Sequence, residues 1–227
     1  MYCSELITEV KDYVGRSSGD NQLITDARIL RWLNDAQRDI VKYCPGLLEL
    51  DFKSSALYCI SDQYRYSMSD ITGDTTDNTA AEVAHVYYMQ LIDGNNSYPM
   101  TFMPVDDFDG AYPDLTSDDY SRDKPCYWTR RGNYIEVNPI PDTDMSYVLK
   151  TYGTFYAKEF TGTESTEASE LEDSDDGLVY YAVHKAYAAM GNTTKTLEWK
   201  SAYESWKADY KEDNDVMMEW DWNIYGD

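Results

Sequence analysis

Basic residues are scarce in this sequence. Its 227 residues include 19 Lys and Arg against 42 Asp and Glu, which gives a formal net charge of -23 at pH 7. Proteins that grip nucleic acid neutralise its phosphates with Lys and Arg. The charge therefore argues against a protein that wraps or grips the DNA backbone, and it predicts a surface that repels DNA.

Catalytic signatures are also missing. The two histidines, His85 and His184, have no Ser, Cys or His at a spacing that suggests a catalytic triad or a metal site. The sequence contains no glycine-rich phosphate-binding motif. Carboxylates are too numerous for any pair to stand out as acid and base. We therefore expect no catalytic residue, no cofactor and no enzymatic activity.

Close cysteine pairs and long apolar runs are absent too. The four cysteines form no CxxC pair, which favours reduced thiols over a disulfide framework or a zinc site; they are Cys3, Cys44, Cys59 and Cys126. The acidic run 106–110 does not have the spacing of an EF-hand loop, so we expect no metal ion there. No apolar run reaches the roughly 18 residues of a membrane span. The start lacks the basic and apolar regions of a signal peptide.

Tyrosine is abundant. The 22 Tyr contribute most of an aromatic share of 15%. Tyr and Trp are enriched where proteins meet one another, although Tyr also fills strand positions in ordinary sheets. Hydrophobic residues make up 42%, so the chain can bury a substantial core.

Residues 1–45 predict an N-terminal helical hairpin. A first helix extends over 4–14, with Ser4 as N-cap and Gly15 as the stop. A second helix starts at Thr25 or Asp26 and ends at Pro45. Apolar side chains recur along it, and two amides lie among them to link the helix to neighbouring elements. The expected bundle-packing residues are Trp32, Leu33, Asn34, Ala36, Gln37 and Ile40.

Residues 46–160 change to alternation of apolar and polar side chains, which predicts a β-rich insertion. The expected strands lie within 48–53, 56–60, 64–68, 83–92, 98–103, 127–130, 134–137 and 147–152. The strands 127–130 and 134–137 flank Gly132 and form a hairpin. The acidic stretch 105–120 is broken by Pro113 and reads as a loop with one helical turn.

Residues 161–177 contain no Lys or Arg and predict an exposed acidic linker. Two helices follow, one over 178–190 and one from Thr193 or Thr194 to about Lys211, so that 178–212 completes the bundle. The predicted fold class is α+β. A helical bundle forms from the N- and C-terminal helices, with a central antiparallel β insertion and an extended C-terminal tail.

The tail, residues 213–227, is too apolar to remain free in solution. Trp220, Trp222 and Ile224 alternate with polar residues as an added strand would. We expect the tail either to dock on a partner or to fold back over its own domain. The expected docking residues are Val216, Met217, Met218, Trp220, Trp222, Ile224 and Tyr225.

The second helix has a nearly balanced charge, unlike the rest of the chain. Two interpretations stay open, an inter-subunit contact with acidic neighbours and a solvated face with ion pairs one turn apart. Its basic residues are Arg28, Arg31, Arg38 and Lys42, and its acidic ones are Asp26, Asp35 and Asp39.

Several segments follow the order found in head-to-tail adaptor proteins of tailed bacteriophages. Residues 24–40 read ITDARILRWLNDAQRDI, which resembles the second helix of that family, with its pattern apolar, Asn, x, Ala, Gln, Arg, x, Ile. The hairpin 134–141, the strand 148–152 and the helix 178–187 continue the resemblance. It covers residues 3 to about 212.

The resemblance implies a virion protein of the phage neck, assembled in the host bacterial cytoplasm. It implies a homo-oligomer, a dodecameric ring that binds the portal protein and the tail or tail-tube (nozzle) proteins. DNA would pass through this connector without specific binding during packaging and ejection. The acidity fits such a channel, although it also serves solubility. From the residues alone, a β-rich adhesin or carbohydrate-binding module stays an alternative, because Tyr and Trp stack on sugars.

Overall fold

The computed structural model describes residues 1–15, 23–45, 47, 50–71, 82–113, 122–142, 147–163 and 166–214. It divides into two compact units. One, the helical unit, consists of Met1–Leu50 and Tyr156–Asp227. The other, the β unit, is Asp51–Phe155 and is inserted between the two parts of the first. The α+β class predicted from the sequence is confirmed.

The helical unit is arranged around one apolar helix. Its helices are α1 (Cys3–Val14), α2 (Asp26–Tyr43), α4 (Asp175–Ala189) and α5 (Thr193–Asn214). Helix α4 packs against the other three. Its small and apolar side chains are buried for this reason, and they are Gly177, Leu178, Val179, Ala182, Val183 and Ala186.

The ends of α1 show one correct and one wrong prediction. Gly15 ends the helix in the left-handed region at φ 70°, as predicted. Ser4 is not the N-cap, because the helix already begins at Cys3. Tyr2 occupies the N-cap position, where its backbone N–H donates to the Glu5 carboxylate at 2.8 Å.

The start of α2 is capped as predicted, since the Thr25 hydroxyl accepts a hydrogen bond from the Arg28 N–H at 3.3 Å. The predicted caps of α5, Thr193 or Thr194, lie one or two residues after the observed one. The Asn192 side chain accepts from the Lys195 N–H at 3.1 Å, and an Asn in this position satisfies a free N–H of the first turn. Helix α5 continues to Asn214, beyond the predicted end.

Within the described residues of the β unit, the strands form two four-stranded sheets. One has the order β1-β8-β3-β4 and the other β2-β7-β6-β5, and all pairs are antiparallel except β5 with β6. The strands are β1 (Asp51–Tyr58), β2 (Arg65–Ser67), β3 (Val83–Asp93), β4 (Asn96–Pro99), β5 (Thr101–Phe102), β6 (Tyr127–Arg131), β7 (Tyr134–Asn138) and β8 (Tyr147–Phe155).

A continuous apolar core joins the two sheets. Its members include Leu57, Met89, Leu91 and Leu149 from one sheet and Tyr66, Trp128, Ile135 and Val137 from the other. The predicted strand 98–103 is divided between the sheets at Met100, which is buried. The stretch predicted as a loop with one helical turn contains the seven-residue helix α3 (Val105–Ala111), which buries Phe108.

Candidate functional site

The side chain of Asn34, in the middle of α2, forms hydrogen bonds with the main chain of a distant segment. Its Nδ2 donates to the Phe160 carbonyl at 3.1 Å, and its Oδ1 accepts from the Phe160 N–H at 2.9 Å. One amide thus satisfies both main-chain groups of a residue 126 positions away, as a neighbouring strand would.

Gln37, one turn further along α2, holds the same segment at two more points. Its Nε2 donates to the Lys158 carbonyl at 3.3 Å, and its Oε1 accepts from the Ser169 hydroxyl at 2.8 Å. Gln37 is only 1% exposed. Because a buried amide without partners costs free energy, these contacts are needed for Gln37 to lie in the apolar stripe. We call Asn34 and Gln37 the amide pair.

Further contacts fasten the segment 156–174 to the helices. Arg38 forms an ion pair with Glu159 at 3.1 Å and lies 5.0 Å from the centre of the Tyr156 ring. The Tyr210 hydroxyl of α5 donates to the Glu172 carbonyl at 3.0 Å. Side chains of this segment also enter the core, namely Phe160, Leu171 and Ser174. The described part of 161–177 is therefore more buried than its composition predicts.

The remaining predicted packing residues of α2 lie on the inward side or at its border. Leu33, Ala36 and Ile40 are fully buried, whereas Trp32 is partly exposed. The amide pair thus lies on the same buried side as these apolar residues. This arrangement joins α2 both to the bundle and to the segment that returns from the β unit.

A polar cluster between α2 and α5 was not found in the sequence. Asp39 accepts hydrogen bonds from the Tyr203 hydroxyl at 2.7 Å and from Lys207 Nζ at 2.9 Å. Burial opposes ionisation of Asp39, but these two hydrogen bonds prevail and lower its pKa. Lys207 is only 8% exposed and also contacts Glu204 at 3.1 Å. The i,i+4 spacing of Tyr203 and Lys207 was the signal for this cluster.

His184 is buried in α4 beside the rings of Tyr181 and Tyr203. Burial, together with the positive charges of Lys185 and Lys200, lowers the pKa of His184 to about 4. The imidazole is consequently neutral near pH 7.

Within the ranges that the structure describes, no cluster of three His, Cys, Asp or Glu side chains could hold a metal ion.

The β unit carries a buried carboxylate on the face of its second sheet opposite Trp128 and Ile135. Glu136 accepts from Arg65 Nε at 2.7 Å and from Arg131 Nε at 3.2 Å, and its side chain is 3% exposed. Both arginines remain about half exposed. This ion cluster is therefore closed on one side by the sheet and open to water on the other.

The seven predicted docking residues between Val216 and Tyr225 lie outside the described residues. Helix α5 brings the chain as far as Asn214. None of the helices in the described ranges is long and apolar enough to span a membrane.

A comparison with protein families gives a match that includes residues of both units. The model of a family described as SU10 adaptor protein matches residues 1–221. No curated protein matches this chain significantly. The matched range contains the amide pair, the Asp39 cluster and every described strand.

Proposed function

Because this chain belongs to the SU10 adaptor protein family, a family of phage head-tail adaptors, we propose that it is a ring subunit of the phage neck. In this proposal the ring joins the portal to the tail and surrounds the DNA exit channel. The observation that carries the proposal is the family match over residues 1–221. The role requires no reaction and no cofactor.

The side-chain hydrogen bonds of the helical unit favour a rigid structural role. The amide pair, Asp39 and Tyr210 fasten α2, α5 and the described part of the segment 156–174 to one another through side-chain hydrogen bonds. Directed contacts of this kind hold elements in one arrangement, because each requires a defined geometry. A subunit that transmits force between head and tail benefits from such rigidity.

The charge of -23 supports a channel that DNA slides through. Carboxylates facing the lumen of a ring repel phosphates, so DNA passes without being held. The proposed assembly is a dodecamer whose partners are the portal protein and the tail or nozzle proteins.

We further propose that the C-terminal tail docks on the portal. Residues 216–225 combine Met, Trp, Ile and Tyr, and a segment of this composition gains from burial against a partner. A chain truncated after Asn214 retains the whole of α5, so it separates the tail from the folded unit.

The test uses portal rings of the phage that encodes this chain, mixed with the purified chain and weighed by mass photometry. The full-length chain is expected to add a defined number of subunits to each portal ring. The chain truncated after Asn214 is expected to bind with a much lower occupancy. Equal occupancy of both chains would refute tail docking but leave the adaptor role intact.

A full-length chain that adds no mass to portal rings would contradict the adaptor role itself. Binding to a glycan array in the same preparation would then favour the carbohydrate-binding alternative. A chain with Ser201→Ala, an exposed position in α5, serves as the control for handling and folding.

A further inference from the structure

The outward face of α2 concentrates positive charge in a strongly acidic chain. Its ionisable residues recur every three or four positions, and all but Asp35 are basic. Arg31 and Lys42 are exposed, near the two ends of the row. We call Arg28, Arg31, Arg38 and Lys42 the basic stripe.

The same helical unit carries a concentration of negative charge elsewhere. Helix α1 packs on α4 and brings Glu9 near Asp175 and Asp176 in the first turn of α4, and Asp12 lies one turn along α1 from Glu9. Burial and the charges of Asp176, Asp175 and Asp12 raise the pKa of Glu9. The amino group of Met1 contacts Asp175 and offsets part of the charge. We call these four carboxylates the acidic patch.

We propose that the basic stripe of one copy docks on the acidic patch of the next copy. This inference rests on the proposed ring and names the contact that closes it. Copies with a charge of -23 repel one another, and a contact between unlike charges offsets part of this repulsion in an assembly of many copies.

The charges of the two surfaces fit a contact between stripe and patch rather than a contact of either surface with itself. The stripe cannot pair with a second stripe, and the patch cannot pair with a second patch, because like charges would then face each other. When a copy uses its stripe on one neighbour and its patch on another, the contact is head-to-tail, and such contacts generate closed rings when the rotation between subunits closes. A reciprocal two-fold dimer pairs the same charges, so the number of subunits added to each portal ring distinguishes the two assemblies.

Charge reversal on each surface tests the contact. The stripe variant carries Arg31→Glu and Lys42→Glu, and the patch variant carries Asp12→Lys and Asp176→Lys. Each variant alone places like charges across the contact, and we expect ring formation on portal rings to fall by at least about tenfold. An equimolar mixture restores unlike pairs at every contact of an alternating ring, so the rings should return.

A charge-matched control excludes a general effect of net charge. Lys195→Glu with Lys200→Glu changes the net charge as much as the stripe variant does, but on exposed residues of α5. This control is expected to form rings like the unaltered chain. Circular dichroism and thermal unfolding of all variants verify that the helical unit is folded.

The proposal is overturned if the stripe variant forms rings as well as the control, or if the mixture does not restore them. Loss of portal binding with unchanged self-association would also overturn it, because the stripe would then contact the portal. If the unaltered chain binds no portal, the proposed function fails separately. Sedimentation of the same variants at low salt then decides this inference, and the absence of any self-association would refute it.

Discussion

The helical unit and the β unit are stabilised in different ways. In the helical unit, polar side chains fasten the described part of the segment 156–174, with Asn34 and Gln37 bonded to main chain more than 100 positions away. In the β unit, two sheets share an apolar core, and the notable ion cluster around Glu136 lies on the face away from it. Removal of polar side chains should therefore destabilise the helical unit, and truncation of apolar side chains should destabilise the β unit.

The difference follows from how each unit satisfies its main chain. Strands of a sheet bond to one another, so side chains are free to form a core. In the described part of the segment 156–174, the side chains of Asn34, Gln37 and Tyr210 instead bond main-chain groups, namely those of Phe160, Lys158 and Glu172.

Truncation of Trp128 should have the largest effect of the substitutions considered. The ring is 1% exposed in the core of the β unit, and Trp128→Ala is expected to lower the free energy of unfolding by about 4 kcal/mol. Tyr58→Ala, at a side chain that is 51% exposed, should cost less than about 1 kcal/mol. Urea unfolding followed by circular dichroism measures both. Equal losses for the two variants would contradict an apolar origin of stability in this unit.

Removal of the amide pair should come next. Asn34→Ala with Gln37→Ala deletes the contacts to Phe160, Lys158 and Ser169, and we expect a loss of about 3 kcal/mol. Urea unfolding gives the value, and hydrogen exchange should show faster exchange of the Phe160 N–H. Ser201→Ala is the matched control. An unchanged exchange rate at Phe160 would show that the amides do not hold the segment.

Acid should weaken the helical unit through His184. Its pKa is about 4 in the folded chain and near 6.5 when unfolded, so only the unfolded state gains a proton as the pH falls below 6.5. This contribution to stability is complete above pH 6.5 and decreases until pH 4. Between pH 6.5 and 5 the loss should reach about 2 kcal/mol.

The variant His184→Gln should lose this part of the pH dependence, whereas His85→Gln should keep it. Urea titrations at several pH values provide the comparison. Parallel pH profiles for the unaltered chain and His184→Gln would contradict the assignment.

The smallest effect is expected from the ion cluster of the β unit. Glu136→Gln keeps the volume and one acceptor, while Arg65 and Arg131 can turn to water, so the loss should be about 1 kcal/mol. Thermal unfolding measures the change. A loss as large as that of the amide pair would remove the contrast between the two units.

Periodicity revealed the fold class, the start of α2 at Thr25 and the end of α1 at Gly15, because these depend on local sequence. It did not reveal the location of 161–177, since polar composition suggested exposure while Leu171 and Ser174 are buried by tertiary contacts. The sequence likewise did not reveal which distant residues each side chain contacts.

Gly177 illustrates that limit. A Cβ at this position would lie 2.1 Å from the Trp206 ring, so only glycine allows α5 to approach α4 this closely. Nothing in the neighbouring sequence announces the contact. The amide pair was visible as polar residues in an apolar stripe, but the chain segment that they hold was not.

We propose that this chain forms the ring between portal and tail, and an image of the phage neck is the decisive test. Cryo-electron microscopy of virions should show a ring of this α+β subunit in contact with the portal, with DNA or an open channel along its axis. A neck in which another protein occupies that ring, or a virion that lacks this chain, would contradict the proposed role.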